Sequence, residues 1–173
     1  DAELIFEGTV LVSEIRKDTN SGIISTYVTF QIIDIIKGNY DANDLELKFM
    51  GGELNGEVVQ VSGLTIPEIG ERGIYFVESL SRDLINPLLG WSQGHFIVLE
   101  DDGEPRISTT ERQPVSKIES VADIPPVIRK PQAVLEGNNS AAAGVITEPN
   151  AAMINRALSV DEFKTSIIEL LED

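Results

Sequence analysis

The sequence predicts a mainly β protein that ends in one amphipathic helix. Three observations favour this class. Apolar and polar residues alternate along several short runs, turn-forming residues separate those runs, and only the end of the chain spaces its apolar residues as a helix does. The length of 173 residues suits one domain with an appendage, and the 42% hydrophobic content is sufficient for a core.

The first two predicted strands form an antiparallel hairpin. An alternating run from Leu4 to Ile15 predicts the first strand, and Gly8 within it indicates a bulge or a close backbone approach. The turn formers at 17–22 end this strand. A second alternating run extends to Ile36, and its parity slips from Ile33 onward, which predicts a bulge or a strong bend there.

Shorter apolar runs predict the remaining strands of the β region. They lie at 45–49, 58–61, 74–77, 96–99 and 106–107. Asp102-Gly103, between the last two, is a dipeptide that favours a two-residue hairpin turn.

Beyond the strands the sequence predicts an irregular connection and then a helix. Residues 109–157 carry scattered prolines and no sustained period, and the low-complexity tract 138–144 predicts a mobile loop. We therefore divide the chain into a β-barrel domain at 1–108, an irregular connection at 109–157 and a helix at 158–173 that packs on the barrel.

The helix is predicted from its start signal and its apolar stripe. Ser159 stands at the N-cap and Glu162 at the third helical position, a spacing typical of a capping box. The stripe consists of Val160, Phe163, Ile167, Ile168 and Leu171.

The charge and the absence of cysteine exclude several functions. Twenty-nine acidic residues face 13 basic ones, a net charge of −16, which opposes binding to nucleic acid and to anionic lipid. The same charge could attract a basic partner or divalent cations, or could serve solubility alone. Without cysteine there is no thiol catalysis, thiolate metal site or disulfide. No apolar run reaches the roughly 20 residues of a membrane span, so no membrane insertion is expected.

Several strings of residues carry a resemblance to known proteins. They are Ala2-Glu3-Leu4-Ile5-Phe6-Glu7-Gly8-Thr9-Val10, Tyr27-Val28-Thr29-Phe30, Ile36-Lys37-Gly38, Gly51-Gly52, Val61-Ser62-Gly63, Gly70-Glu71 and Gly90-Trp91-Ser92-Gln93-Gly94-His95-Phe96. The chain resembles a family of exported, uncharacterised bacterial proteins whose strand plan is similar to the netrin-like module of the tissue inhibitors of metalloproteinases.

The resemblance implies a five-stranded Greek-key barrel of the OB type over about residues 2–106. It also implies an exported protein, in the periplasm, at the cell surface or secreted. The strand pattern already present at Asp1 agrees with removal of an upstream segment. The inhibitors use an N-terminal cysteine against the protease zinc, and since this chain has no cysteine their mechanism is not implied.

The segment around the single tryptophan is the predicted binding site, formed by Trp91, Gln93 and His95. A tryptophan on a glycine-rich loop is a good interface anchor. The alternative is structural, with Trp91 closing one end of the barrel.

His95 also supports an enzymatic alternative, because the single histidine is the natural general base at neutral pH. A hydrolase would combine it with a nucleophile such as Ser92 or Ser62 and with an acid such as Asp101 or Glu100. The sequence contains no G-x-S-x-G elbow and no H-E-x-x-H motif. We therefore nominate no catalytic residue, no metal ligand and no cofactor.

Three acidic stretches, at 18–22, 41–46 and 100–104, could offer oxygen ligands to calcium. All three lie where hairpin turns are expected, and turns favour Asp, Asn and Gly in any case. We interpret them as turns.

The leading functional hypothesis is an exported, non-enzymatic module that binds a protein partner through loops on a rigid scaffold. The alternatives are a hydrolase that uses His95 and a structural component of the cell envelope. The oligomeric state stays open.

Overall fold

The computed structural model describes residues 2–119 and 144–172, which are mainly β-strand with one C-terminal α-helix. The mainly β class predicted from the sequence is therefore confirmed. The chain divides into two compact units, residues 1–91 and residues 92–173, and each is described by itself.

The first unit contains six strands among its described residues. They are β1 (Leu4–Lys17), β2 (Ile24–Lys37), β3 (Asp44–Met50), β4 (Gly52–Leu54), β5 (Glu57–Val59) and β6 (Arg72–Val77). Within this unit the strands β3, β2, β1 and β6 are neighbours in that order, all antiparallel. The strands β4 and β5 form a separate short hairpin.

The long hairpin of β1 and β2 bends where the sequence indicated. Glu7 pairs with Asp34 and Gly8 pairs with Ile32, so Ile33 is an extra residue in β2. This register shift confirms both the bulge predicted at Gly8 and the parity slip that begins at Ile33. A Cβ atom on Gly8 would lie 2.9 Å from the carbonyl oxygen of Gln31, so only glycine fits this close approach.

The strand pairings of the first unit do not close into a barrel over its described residues, which corrects the predicted closed barrel. In this unit β3 pairs with β2 on one side, and its other side meets the loop at 79–87 instead of a strand. The Met50 N–H donates to the carbonyl of Ile85 in that loop, at 2.9 Å. Alternation in the sequence predicts strands, but the neighbour of each strand depends on contacts distant along the chain.

Aromatic rings form the centre of the core in the first unit. Phe6, Phe30 and Tyr75 are fully buried, and their ring centroids lie 4.7 to 5.3 Å apart. Alternate residues of β1, β2, β3 and β6 surround them, since a half-buried sheet directs every second side chain inward.

The second unit contains the other elements of the described residues. They are a 3₁₀ turn at Trp91–Gly94 that begins on the last residue of the first unit, β7 (His95–Asp101), β8 (Glu104–Thr109), β9 (Val115–Ile118), β10 (Val145–Thr147), a 3₁₀ helix at Ala151–Arg156 and α1 (Val160–Glu172). Asp102 and Gly103 join β7 to β8 with φ angles of 48° and 81°. Two successive positive φ angles are what a tight hairpin turn requires, so this predicted turn is confirmed.

The predicted irregular connection contains regular structure that the sequence pattern did not reveal. Within 109–157, β9 and β10 pair antiparallel, and the 3₁₀ helix begins after Asn150, whose side chain accepts from the Ala152 N–H at 2.9 Å. Strands of three or four residues are too short to show a period. The tract at 138–144, predicted as mobile, lies outside the described residues except for Gly144, and the division at 1–108, 109–157 and 158–173 stays a prediction.

The start of α1 confirms the predicted capping box. The Glu162 N–H donates to the Ser159 hydroxyl and the Ser159 N–H donates to the Glu162 carboxylate, both at 3.2 Å. Phe163 is fully buried and lies 5.0 Å from Phe96, centroid to centroid.

The buried stripe of α1 is narrower than predicted. Val160, Phe163 and Ile167 are buried, whereas Ile168 and Leu171 are 44% and 46% exposed. In the parts of the chain that the structure describes, no helix combines the length and the apolar character needed to cross a membrane.

Candidate functional site

The outer edge of β3 presents backbone groups that no other strand takes up among the described residues. The N–H of Ile32 donates to the carbonyl of Asn43, and the N–H of Gly51 donates to the carbonyl of Ile24. With the antiparallel register of β2 and β3, these two bonds show which residues of β3 form backbone hydrogen bonds with β2. The odd-numbered residues of β3 direct their N–H and C=O groups toward β2, and the even-numbered residues direct theirs outward.

Two of the four outward residues already have one partner each. The carbonyl of Asp44 accepts from the Tyr40 hydroxyl, and the N–H of Met50 donates to Ile85. Between them, the N–H and C=O groups of Glu46 and Lys48 have no partner in residues 2–119 and 144–172. A row of unpaired groups on an edge strand is a template for another strand.

The loop at 79–87 forms a wall beside this edge, and short-range hydrogen bonds fix its shape. The Ser79 hydroxyl accepts from the N–H groups of Ser81 and Arg82, both at 3.2 Å. At the other end the Asn86 side chain accepts from the Leu88 N–H at 2.9 Å.

The base of the loop closes like a hairpin. The N–H of Glu78 donates to Pro87 at 2.8 Å, and the N–H of Leu89 donates to Phe76 at 2.7 Å. The loop that forms the wall is therefore ordered in the absence of a partner.

A groove of about 270 Å³ lies between β3 and this wall. Apolar and polar side chains both line it. Its lining residues are Tyr40, Leu45, Glu46, Leu47, Lys48, Ser79, Leu80, Arg82, Asp83, Leu84 and Pro87. Leu80 is 38% exposed, so part of the apolar lining faces water in the free protein.

The cations at the groove are already paired with carboxylates of the same chain. The Lys48 ammonium lies 2.6 Å from Asp83, and the Arg82 guanidinium lies 3.2 Å from Glu78. The hydrogen bond that the Lys48 ammonium donates to Asp83 raises the pKa of Lys48 above its usual value, so Lys48 is charged at neutral pH.

The anions at and beside the groove share fewer cations. Glu46 accepts from both terminal nitrogens of Arg16, at 3.3 and 3.5 Å, and Arg16 makes a shorter contact of 2.9 Å with Glu14. Asp44, at the start of β3, is exposed and forms no ion pair among the described residues. Among the residues that line the groove, Glu46 and Asp83 balance Lys48 and Arg82. The surplus of carboxylate lies beside the groove, at Asp44 and Glu78.

The predicted site residues lie on both sides of the division between the two units. Trp91, the last residue of the first unit, is half-buried and adopts a φ of 59°. In the second unit Gln93 is half-buried, and His95 is only 1% exposed. The binding role proposed for these three residues stays a prediction. The side chain of His95 offers almost no surface to a molecule in solution, which counts against its use by a hydrolase.

The acidic stretch at 18–22 is a tight turn, as predicted. The Asp18 carboxylate accepts from the N–H groups of Asn20 and Ser21, at 2.7 and 3.1 Å, an arrangement that favours a turn over a cation site. The bonds from Ser21 and Asn20 hold the pKa of Asp18 below its usual value. Over residues 2–119 and 144–172, no group of three or more histidine or carboxylate side chains is placed to hold a metal ion.

The edge of β3 was missed by sequence reasoning, although one signal for it is visible. Alternation of Leu45, Leu47 and Phe49 predicted the strand but not whether it has one neighbour or two. The signal is the pair of opposite charges at Glu46 and Lys48, because charged side chains are characteristic of edge strands.

Comparisons of the chain with protein-family models, with curated proteins and with solved structures give no match.

Proposed function

We propose that the chain is a non-enzymatic protein-binding module that takes an extended segment of its partner as an added strand on the edge of β3. One observation carries the proposal. The unpaired backbone groups of Glu46 and Lys48 lie beside a groove that the 79–87 loop has already shaped. Strand addition uses these two features together, since main-chain hydrogen bonds supply affinity and a groove for alternate side chains supplies specificity.

The energetics of the site suit a reversible contact. Four backbone groups are available, and each hydrogen bond contributes about 0.5–1.5 kcal/mol net. Because the loop is fixed by its own hydrogen bonds, little ordering of the chain opposes binding. Burial of the exposed part of Leu80 adds an apolar contribution.

The edge favours a single strand over a second sheet. The 79–87 loop is joined to β3 at Met50 and at Lys48, so it stands beside the edge that a second sheet would have to approach. An extended segment needs a width of only about 5 Å.

The finer structural and cellular assignments remain proposals. A netrin-like strand plan without barrel closure is supported by β1, which pairs with β2 along its length and with β6 over Leu4–Thr9. Export, with a place in the periplasm, at the cell surface or in the medium, follows only from the resemblance in the sequence.

A selection from an unbiased display library of random peptides tests the proposed function. The full 173-residue chain is the bait, and synthetic copies of the enriched peptides are measured by fluorescence anisotropy against Lys48→Pro and Lys48→Ala. Both variants lose the ammonium group, and only Lys48→Pro loses the outward N–H. Proline is tolerated on an edge strand where the N–H faces solvent.

We expect the enriched peptides to bind Lys48→Pro about tenfold more weakly than Lys48→Ala. Circular dichroism and thermal unfolding of both variants establish that each is folded. Equal affinity for the two folded variants, or a selection that enriches nothing, would overturn the proposal.

A further inference from the structure

The faces of β3 specify what kind of segment fits its edge. Successive side chains of a strand point to opposite faces of the sheet, and an added strand follows the same alternation. In β3 the buried residues Leu45 and Leu47 lie on one face, and Glu46 and Lys48 lie on the other. Alternate residues of the partner therefore meet two different surfaces.

One of these surfaces is apolar. Leu80, Leu84 and Pro87 from the loop join Leu45 and Leu47 from β3 in the lining of the groove. Burial of apolar side chains of the partner on this side contributes about 25 cal/mol of binding free energy per Å² of surface removed from water.

The other surface favours cations. Lys48 and Arg82 are neutralised by Asp83 and Glu78, whereas Asp44 has no ion pair among the described residues and Glu46 competes with Glu14 for Arg16. Opposite charges directly across two strands stabilise the pair and like charges destabilise it. The net charge of −16 adds a field that attracts basic segments and repels acidic ones.

We infer that the partner segment is an extended strand in which basic and apolar residues alternate, with basic residues beside Glu46 and apolar residues in the groove. This inference rests on the proposed function, since it names the chemistry of the segment that the same edge accepts.

Synthetic peptides of about nine residues test this chemistry. One peptide alternates lysine and valine, a second has the same composition in two blocks, and a third alternates glutamate and valine. Anisotropy is measured with the full chain. We expect the alternating lysine peptide to bind about tenfold more tightly than the block peptide, and the glutamate peptide to show no binding.

Backbone N-methylation of the peptide separates strand addition from simple charge attraction. An added strand directs every second N–H toward β3. With the lysines beside Glu46, the N–H groups that point toward β3 are those of the lysines if the peptide is antiparallel to β3. They are those of the valines if the peptide is parallel to β3. We expect methylation at one of the two parities to weaken binding about tenfold and methylation at the other to have little effect. Equal effects at both parities would overturn the inference.

Two variants of the protein test whether the preference for basic peptides arises at the groove. Glu46→Lys changes the charge beside the edge, and Glu53→Lys makes the same change at an exposed residue of β4 that does not line the groove. We expect Glu46→Lys to weaken binding of the lysine peptide about tenfold and Glu53→Lys to weaken that binding about twofold. Equal losses would mean attraction to the bulk charge only and would overturn the inference.

The two proposals fail in distinguishable ways. If library peptides distinguish Lys48→Pro from Lys48→Ala but do not alternate basic and apolar residues, the inferred chemistry is wrong and the protein-binding function stands. If no peptide distinguishes these two variants, both proposals are wrong.

Discussion

Lys48 and Asp83 connect the open edge of β3 to the loop that walls the groove, with 2.6 Å between the ammonium nitrogen and the carboxylate oxygen. The Asp83 side chain is 81% exposed, and exposed ion pairs contribute about 0–1 kcal/mol. We expect Asp83→Asn to lower the free energy of unfolding by less than about 1 kcal/mol, measured by urea denaturation. A loss above about 2 kcal/mol would show that this ion pair stabilises the fold.

Amide hydrogen exchange along β3 should follow the parity of the ladder. We expect slow exchange for Leu45, Leu47 and Phe49, whose N–H groups face β2, and fast exchange for Glu46 and Lys48. Met50 should exchange slowly although its N–H points outward, because Ile85 accepts from it. NMR exchange on the free protein measures this pattern, and protection of Glu46 and Lys48 equal to that of Leu47 would contradict an open edge.

The carboxylate of Glu7 is buried and depends on Arg72. The Glu7 side chain is 1% exposed, and the guanidinium contacts it at 2.7 and 2.8 Å. Removal of one partner from a fully buried pair costs about 3–5 kcal/mol. Because the Arg72 side chain is 35% exposed, water screens this pair in part and the cost should be smaller, about 1–3 kcal/mol. We expect a loss of that size for Arg72→Met in denaturant unfolding.

The matched control for Arg72→Met is the double variant Glu7→Leu with Arg72→Met, which removes both charges. Replacement of a buried pair by apolar residues is often neutral or stabilising. We expect the double variant to recover most of the lost stability, and a double variant as unstable as the single one would contradict this account.

Gly103 is the position in the β7–β8 hairpin where a side chain should cost the most conformational energy. Its φ is 81°, and a Cβ atom there would meet no atom within 4 Å, so the cost is one of backbone strain alone. We expect Gly103→Ala to reduce the free energy of unfolding by about 1–2 kcal/mol. Asp102→Asn is the control, since asparagine also tolerates a left-handed conformation, and it should change stability little.

The capping box of α1 predicts a pH dependence of known sign. The N–H of Ser159 donates to the Glu162 carboxylate and lowers its pKa below the usual 4.5. A lowered pKa in the folded state contributes stability above the unfolded value, and that stability is lost as the pH falls through the folded value.

Glu162→Gln isolates this effect because it keeps the acceptor and removes the charge. We expect the variant to be less stable than the wild type near pH 7 and about equally stable near pH 3, as measured by urea unfolding at both values. A difference in stability that is the same at the two pH values would contradict the assignment.

Particular residues show why some features were predictable from the sequence. The capping box depends on two residues three positions apart, and the turn at Asp102 and Gly103 depends on two adjacent residues. The slip after Ile33 appears as a break in parity. Each of these signals lies within one stretch of chain, so tertiary contacts are not needed to interpret it.

Other features depended on contacts that no local pattern shows. The alternation of Leu45, Leu47 and Phe49 is the same in a central strand and in an edge strand. The burial of His95 is equally invisible, because the sequence shows a single histidine beside a glycine-rich segment and not what covers it. The prediction of a closed barrel was wrong for a related reason. Closure requires a strand along the outer edge of β3, and among the described residues the backbone of that edge meets only the loop at 79–87, at Met50, and the Tyr40 hydroxyl.

The amino-acid sequence was sufficient to predict the mainly β class, the bulged hairpin of β1 and β2, the C-terminal helix with its cap and the surplus of negative charge. These properties follow from local geometry and composition. Contacts between distant segments are needed to show that Glu46 and Lys48 direct their backbone groups to an open edge and that the 79–87 loop forms a groove beside them. Such a site depends on which distant segments meet, because the hydrogen bonds of a strand are completed by residues far away along the chain.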